Sequence, residues 1–372
     1  MQCLLIAGEK SGEDHALSFV PQIKEILPNV HFFGVGGDNL KSNGMEILYH
    51  LKDFSSWGVS DVISKIPFYK KALNHLVAET CNRNCKVAIL IDFQSFNMKL
   101  AKELKKNNIK VLYYVAPQAW VWKSGRVKVL AKTIHTLFTI IPFEQKWFKE
   151  RGVPNVLGVS HPVYLQYKNQ IPQEVKKYPQ DSFRILLLPG SRNSEVSHNL
   201  DEMILACKML RREKKIEIGI VESSSVSPAI YELYKNKIDR IYRDDQLVDA
   251  LKWANSAFAA SGTVTLTCAL FGLPTIVMYR VGVMNEILFK MLIKYRGPFS
   301  LANIVHNEII FPEMIQEEAR AFWLYSKMFE IISSPNIYTQ MAQKAFKTKD
   351  ILQQNGMNPA QYISDEIKSA YR

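Results

Sequence analysis

Along the chain, short apolar runs rich in β-branched and aromatic residues alternate with longer segments whose apolar positions recur at helical spacing. The runs fall at 3–7, 30–35, 87–91, 110–115 and 136–141, then resume at 184–188, 217–221, 238–242, 256–260 and 275–279. Runs this short and this continuously apolar fit strands buried on both faces of a parallel sheet. The strand-helix rhythm in two sets predicts an α/β protein of two doubly wound, Rossmann-like domains. Between the sets, 166–182 is rich in Lys and Pro and poor in apolar residues, as a linker is. The expected division is 1–165, a linker at 166–182, a second domain at 183–335, and a helical tail at 336–372. Tail residues Ala342, Ala345, Phe346, Ile351, Tyr362 and Ile363 fall at helical spacing and need a partner, expected to be the N-terminal domain.

Length and composition fit that picture. A chain of 372 residues suits two domains, and 47% hydrophobic with 22% charged residues excludes disorder. The formal charge of +12 favours anionic partners, but no zinc knuckle or RNP motif appears, so nucleic acid is not expected. Five scattered cysteines, Cys3, Cys81, Cys85, Cys207 and Cys268, form no zinc pattern and are expected as reduced thiols. Reduced thiols suit a cytoplasmic protein, and the chain opens on an apolar strand without a basic leader. The uncharged stretch 254–279 is punctuated by Ser261-Gly262-Thr263 and Gly272-Leu273-Pro274, so strand, turn, helix and strand fit it better than a membrane span.

In parallel sheets ligands bind where strands end and helices begin, so the strand-to-helix turns hold the candidate chemistry. The turn Gly8-Glu9-Lys10-Ser11-Gly12 follows the first strand; Glu9 and Ser11 offer polar tips, yet any such turn can carry Gly and Ser. Gly34-Val35-Gly36-Gly37 lacks the third glycine of the dinucleotide fingerprint. Asp92 ends a buried strand, where it serves either as a general base or as a helix cap. Gly190-Ser191-Arg192 can wrap and neutralise a phosphate, and Ser261-Gly262-Thr263 is a second turn of that type. A nucleoside diphosphate needs both. Pro117, Trp120 and Trp122 wall a sugar or acyl pocket or simply pack in the core. No Asp-x-Asp occurs, and Asp244 and Asp245 are adjacent, so a metal-free site is expected in which Arg192 and helix N-termini neutralise the diphosphate.

Taken in order, these pieces resemble the lipid-A-disaccharide synthase family along essentially the whole chain. The resemblance is carried by Gly8-Glu9-x-Ser11-Gly12, Ile91-Asp92, the run from Tyr114 to Trp122, Ile141-Pro142-Phe143-Glu144, and Leu188-Pro189-Gly190-Ser191-Arg192. It continues through Ala260-Ser261-Gly262-Thr263, Ser300-Leu301-Ala302-Asn303 and Pro312-Glu313-x-x-Gln316. It implies the GT-B glycosyltransferase fold, two facing Rossmann-like domains with the active site in their cleft. It also implies inverting transfer of 2,3-diacylglucosamine from UDP to 2,3-diacylglucosamine 1-phosphate, giving a β-1,6 disaccharide and UDP without a cofactor. By the match Asp92 is the general base, Arg192 binds diphosphate, Asn303 is a further catalytic position, and Glu9, Ser11, Gly12, Gln118 and Trp120 lie on the acceptor side. Gly190, Ser191, Ser261, Gly262, Thr263 and Thr267 are the expected UDP contacts.

The same resemblance implies a homodimer at the cytoplasmic face of the inner membrane, bound peripherally to its anionic surface. The segment from Trp57 to Lys71, with Ile63, Ile66 and Phe68 beside Lys65 and Lys70, suits that contact, although an ordinary amphipathic core helix fits it nearly as well. Departures from the family pattern are Ser95 for Asp, Glu13 for Asp, Ser160 for Gly, and Thr267 for a Glu that in related folds holds the ribose. With Thr267 one turn into the helix after Ser261, weaker UDP binding is expected, restored by Thr267→Glu. The competing readings are a transferase or epimerase of the same fold acting on a soluble UDP-sugar, and a non-catalytic sugar-nucleotide binder. A binder has no need of a base such as Asp92.

Overall fold

The computed structural model describes residues 1–54, 64–121, 125–280, 297–354 and 358–372. The chain forms two compact units, one of Met1–Pro162 with Gln353–Arg372, the other of Val163–Leu352. In the first unit the strands β1 (Gln2–Ala7), β2 (His31–Gly36), β3 (Glu46–His50), β4 (Val87–Ile91), β5 (Lys110–Tyr114), β6 (Thr136–Thr139) and β7 (Val156–Gly158) form one sheet ordered 3-2-1-4-5-6-7. Every neighbouring pair is parallel. In the second unit β8 (Phe183–Leu188), β9 (Ile216–Glu222), β10 (Arg240–Arg243), β11 (Ser256–Ala260), β12 (Thr275–Tyr279) and β13 (Glu313–Ile315) form a parallel sheet ordered 10-9-8-11-12-13.

Both orders reverse once, between β1 and β4 in the first sheet and between β8 and β11 in the second. At such a reversal the helices leave to opposite faces and open a crevice beyond the strand ends. The turns Gly8–Gly12 and Asp92–Gln94 stand at the first reversal, and Gly190–Arg192 and Ser261–Gly262 at the second. Strands β4 (VAILI) and β11 (SAFAA) are buried throughout, as central strands covered by helices must be. Leu4, Leu90, Tyr113 and Leu137 pack under one face of the first sheet, and Leu5, Ile89, Leu112 and Phe138 under the other.

Two boundaries differ from the sequence expectation. Residues 166–182 are not a free linker: Val175 and Tyr178 pack on the second core, and Tyr178 donates to the Ile332 carbonyl at 2.7 Å. The tail joins the first unit from Gln353, not from 336. Helix Pro335–Phe346 buries Tyr338, Ala342, Ala345 and Phe346 in the second unit, with Phe346 against Gly272. Helix Pro359–Ala370 then lays Ala360, Ile363 and Ile367 on the first core, and Lys110 pairs with Glu366 at 2.6 Å.

Part of the expected membrane segment, 55–63, lies outside the described residues. Of the remainder, Ile66 is exposed, whereas Phe68 is taken into an aromatic cluster, edge-on to Phe54 at 5.4 Å. Among the described residues no helix is long and apolar enough to cross a membrane.

Candidate active site

At the first reversal Asp92 and Phe93 both take left-handed backbone angles, φ 43° and 40°, and just past the end of the adjoining β5 Val115 has φ 67°. Left-handed non-glycine residues cost of order 1–3 kcal/mol each, and a β-branched one is a true outlier, so surrounding contacts must hold them. They do. The Asp92 carbonyl accepts from the Tyr113 hydroxyl at 2.8 Å and from Asn97 Nδ2 at 2.9 Å, and its N–H donates to the Tyr114 carbonyl at 2.9 Å. Gly8 makes room: a Cβ there would stand 2.9 Å from the Phe93 ring.

This posture puts the Asp92 carboxyl in a semi-buried place. Burial raises it to about 6, the negative charge of Glu9 pushes the same way, and hydrogen bonds from Gln94 and Phe93 with the charge of Arg126 pull against both. Arg126 itself donates to Gln94 Oε1. A carboxylate near 6 is ionised at neutral pH yet basic enough to take a proton in a transition state. Ser11 is exposed on helix Lys10–Leu17, and Gly12 lets that helix approach Ala7 and Ile91. Glu13 of the same helix is buried and accepts from Leu40 N–H and from Lys10 Nζ, both at 3.1 Å.

Gln118 and Trp120 follow β5 and are half-buried, while Trp122 lies outside the described residues. Trp120 Nε1 donates to Glu144 Oε1 at 3.0 Å, and its ring stands edge-on to Phe143 at 5.2 Å. Glu144 is buried, which lifts its carboxyl to about 8 against the hydrogen bonds from Trp120 and the Ile141 backbone. Two histidines behind the turns are neutral: burial lowers His15 to about 4 and His161, further depressed by His15, to about 3.

In the second unit the two glycine turns face one cavity of about 330 Å³. Leu188, Gly190 and Ser191 line it from β8, Ala260, Ser261, Gly262 and Thr263 from β11, and Val221, Ser223, Asp244 and Leu247 from the neighbouring strand ends. Gly190 takes φ 121°, closed to other residues, and Gly262 faces open space. Helices Asn193–Leu210 and Thr263–Leu270 begin at these turns, so their N-termini present the unpaired N–H groups that bind phosphate. Asp244 accepts from Ser224 N–H and Oγ, the latter at 2.7 Å.

Other expected site residues fall differently. Arg192 is exposed at the head of helix Asn193–Leu210, with no ion pair among the described residues, free to reach a phosphate. Thr267 is buried and does not line the cavity, because the helix starts at Thr263 and turns its next turn into the core. Asn303 is fully buried with its amide spent inside the fold: Nδ2 donates to the Phe311 carbonyl and Glu313 Oε1, both at 2.8 Å, and Oδ1 accepts from Ile310 and Phe311 N–H, both at 2.9 Å. Glu313 in turn accepts from Phe299 and Ser300 N–H. The contact of Arg126 with Gln94 escapes sequence reasoning, which sees no link between positions that meet only in the fold. Among the described residues no three His, Cys, Asp or Glu side chains gather as a metal cluster, and all five cysteines are free thiols.

The lipid-A-disaccharide synthetase family model matches residues 3–367. The lipid-A-disaccharide synthase of Syntrophus aciditrophicus is 30% identical over 353 residues, covering 90% of this chain and 88% of that protein. Lipid-A-disaccharide synthase 1 of Legionella pneumophila (strain Paris) is 27% identical over 357 residues, covering 94% and 92%. Among solved structures, the calicheamicin glycosyltransferase CalG4 superposes with a TM-score of 0.59 at 10% identity, covering 99% and 98%, a likeness of the GT-B fold. On a match running nearly end to end, the chain belongs to the lipid-A-disaccharide synthetase family, as a glycosyltransferase that uses a UDP-sugar.

Proposed function

We propose that the chain transfers 2,3-diacylglucosamine from UDP to the 6-hydroxyl of 2,3-diacylglucosamine 1-phosphate. The reading rests on Asp92, a carboxyl raised to about 6 and held in a strained turn at the sheet reversal. Asp92 takes the acceptor hydroxyl proton as the oxygen attacks the anomeric carbon. The bond from that carbon to the β-phosphate oxygen breaks, and UDP leaves with the electron pair. One in-line displacement inverts the centre and gives the β-1,6 linkage. Negative charge grows on the leaving diphosphate, where the N–H groups at Gly190, Ser191 and Gly262 and the Arg192 guanidinium are suited to meet it. Glu9, Ser11, Gly12, Gln118 and Trp120 are assigned to the acceptor side.

The partners belong to the same reading. The net charge of +12 supports reversible attachment to an anionic inner-membrane surface, and a homodimer goes with the family. Donor choice tests the substrate assignment. Turnover of UDP-2,3-diacylglucosamine should exceed that of UDP-N-acetylglucosamine by orders of magnitude. Equal or preferred turnover of the soluble sugar would move the assignment to a soluble UDP-sugar enzyme.

A further inference from the structure

The helix that begins at the Gly190–Arg192 turn carries a carboxylate pointing the wrong way for a phosphate site. Glu195 is the third residue of helix Asn193–Leu210, yet its side chain folds back over the helix start and lines the cavity. There Oε2 accepts the Ser191 N–H at 3.2 Å. The carboxylate lies so close on Gly190 that a Cβ at that position would collide with it. Among the described residues it has no ion-pair partner. An acid is attracted to this spot for the reason a phosphate is: free N–H groups and the positive end of the helix dipole converge on it.

Granted the donor site proposed above, we propose that Glu195 is a built-in competitor for the diphosphate, holding the Ser191 N–H when the site is empty and surrendering it when UDP binds. The Ser191 N–H has one hydrogen to donate, and two anions a hydrogen-bond length apart repel strongly. Bound diphosphate therefore requires the Glu195 side chain to swing off Gly190. The swing exchanges one charge-assisted hydrogen bond for another, so the net attraction of the turn for UDP is reduced. A smaller attraction for the product shortens its stay, because differences of this kind appear chiefly in the off-rate. Gly190 is needed on this account for more than its backbone angle, since only a residue without a Cβ leaves space for either anion.

Titration of the whole chain with UDP and with uridine, for wild type, Glu195→Gln and Glu195→Ala, tests the idea. Gln keeps the shape and the hydrogen bond to Ser191 but removes the charge. UDP should bind roughly three- to tenfold tighter to Glu195→Gln, the size of a partly exposed charge interaction. Uridine, which has no phosphate, should bind both alike, and inhibition of turnover by product UDP should strengthen in step. Should Glu195→Ala lose stability with its helix start, Glu195→Gln alone carries the comparison. Unchanged or weaker UDP binding in Glu195→Gln, with wild type binding UDP normally, overturns the inference alone. Failure of the wild-type chain to bind UDP overturns the donor-site reading and the inference with it.

Discussion

Exchange of Asp92 for Asn separates the chemistry of its carboxyl from its cost to the fold. The folded carboxyl titrates at about 6 against an ordinary 3.8, mainly through burial and then through Glu9. Between those values the folded state keeps a proton that the unfolded chain has lost, so stability falls as pH rises from about 4 to about 6. At pH 7 the ionised carboxylate costs on the order of 1–3 kcal/mol, allowing for its partial exposure to solvent. Asn is neutral and of the same shape, and it still allows the backbone bonds from Tyr113 and Asn97. The variant should therefore melt higher than wild type at pH 7, with the difference vanishing below about pH 4. Turnover should nevertheless fall by at least about a hundredfold, the lower range for a lost general base. The assay is a pH series of kcat/KM beside a pH series of Tm. Wild-type kcat/KM should decline below about pH 6, and Glu9→Gln should move that limb to lower pH by up to about one unit, having removed the second cause of the rise. An Asn variant that keeps near-full turnover, or a limb that ignores Glu9, would refute the assignment of Asp92 as base.

Arg192→Ala should weaken UDP binding by about ten- to a hundredfold and lower turnover with it, as loss of a charged hydrogen bond does; calorimetry with unchanged UDP affinity would place the diphosphate elsewhere. Buried neutral His15 and His161, at about 4 and 3, should make the fold less stable as pH falls below about 6.5, because the unfolded chain then takes up protons that the folded chain refuses. Urea midpoints from pH 7 to pH 4 check this, and His15→Gln should flatten the slope. Ile363→Ala should cost about 2–4 kcal/mol through the cavity it leaves under the returning tail, measured by denaturant unfolding, whereas a value near zero would mean that the tail is not part of the first core.

Nine of the ten strands read from the sequence lie inside a sheet and show as apolar runs, whereas the tenth, β10, is an exposed edge strand whose run 238–242 only partly overlaps it. The three that escaped, β3, β7 and β13, are sheet edges. Two of them have three residues, and β3 is half-buried with Glu46 and His50 at its ends, so no apolar run announces them. Asp92 and the two glycine turns stand out as candidates in the sequence because each follows directly on an apolar strand run. Arg126 and Gln94 beside Asp92 could not, since their meeting depends on two helices that start from neighbouring strands. The surroundings of Thr267 and Asn303 are not legible in the sequence. Their motifs place them near the turns, but burial of Thr267 and the saturated amide of Asn303 are tertiary facts. Phe68 shows the same limit: beside lysines it suits a membrane face, yet Phe54, Tyr49 and Tyr69 claim it.

The central claim is that one displacement joins two acylated glucosamines. Its most direct measurement is the product formed by purified protein from UDP-2,3-diacylglucosamine and 2,3-diacylglucosamine 1-phosphate, followed by mass spectrometry and by NMR of the new anomeric centre. The account predicts one disaccharide 1-phosphate for each UDP released, with a β anomeric coupling and its linkage at the 6-position. UDP released without disaccharide, or an α linkage, would contradict it.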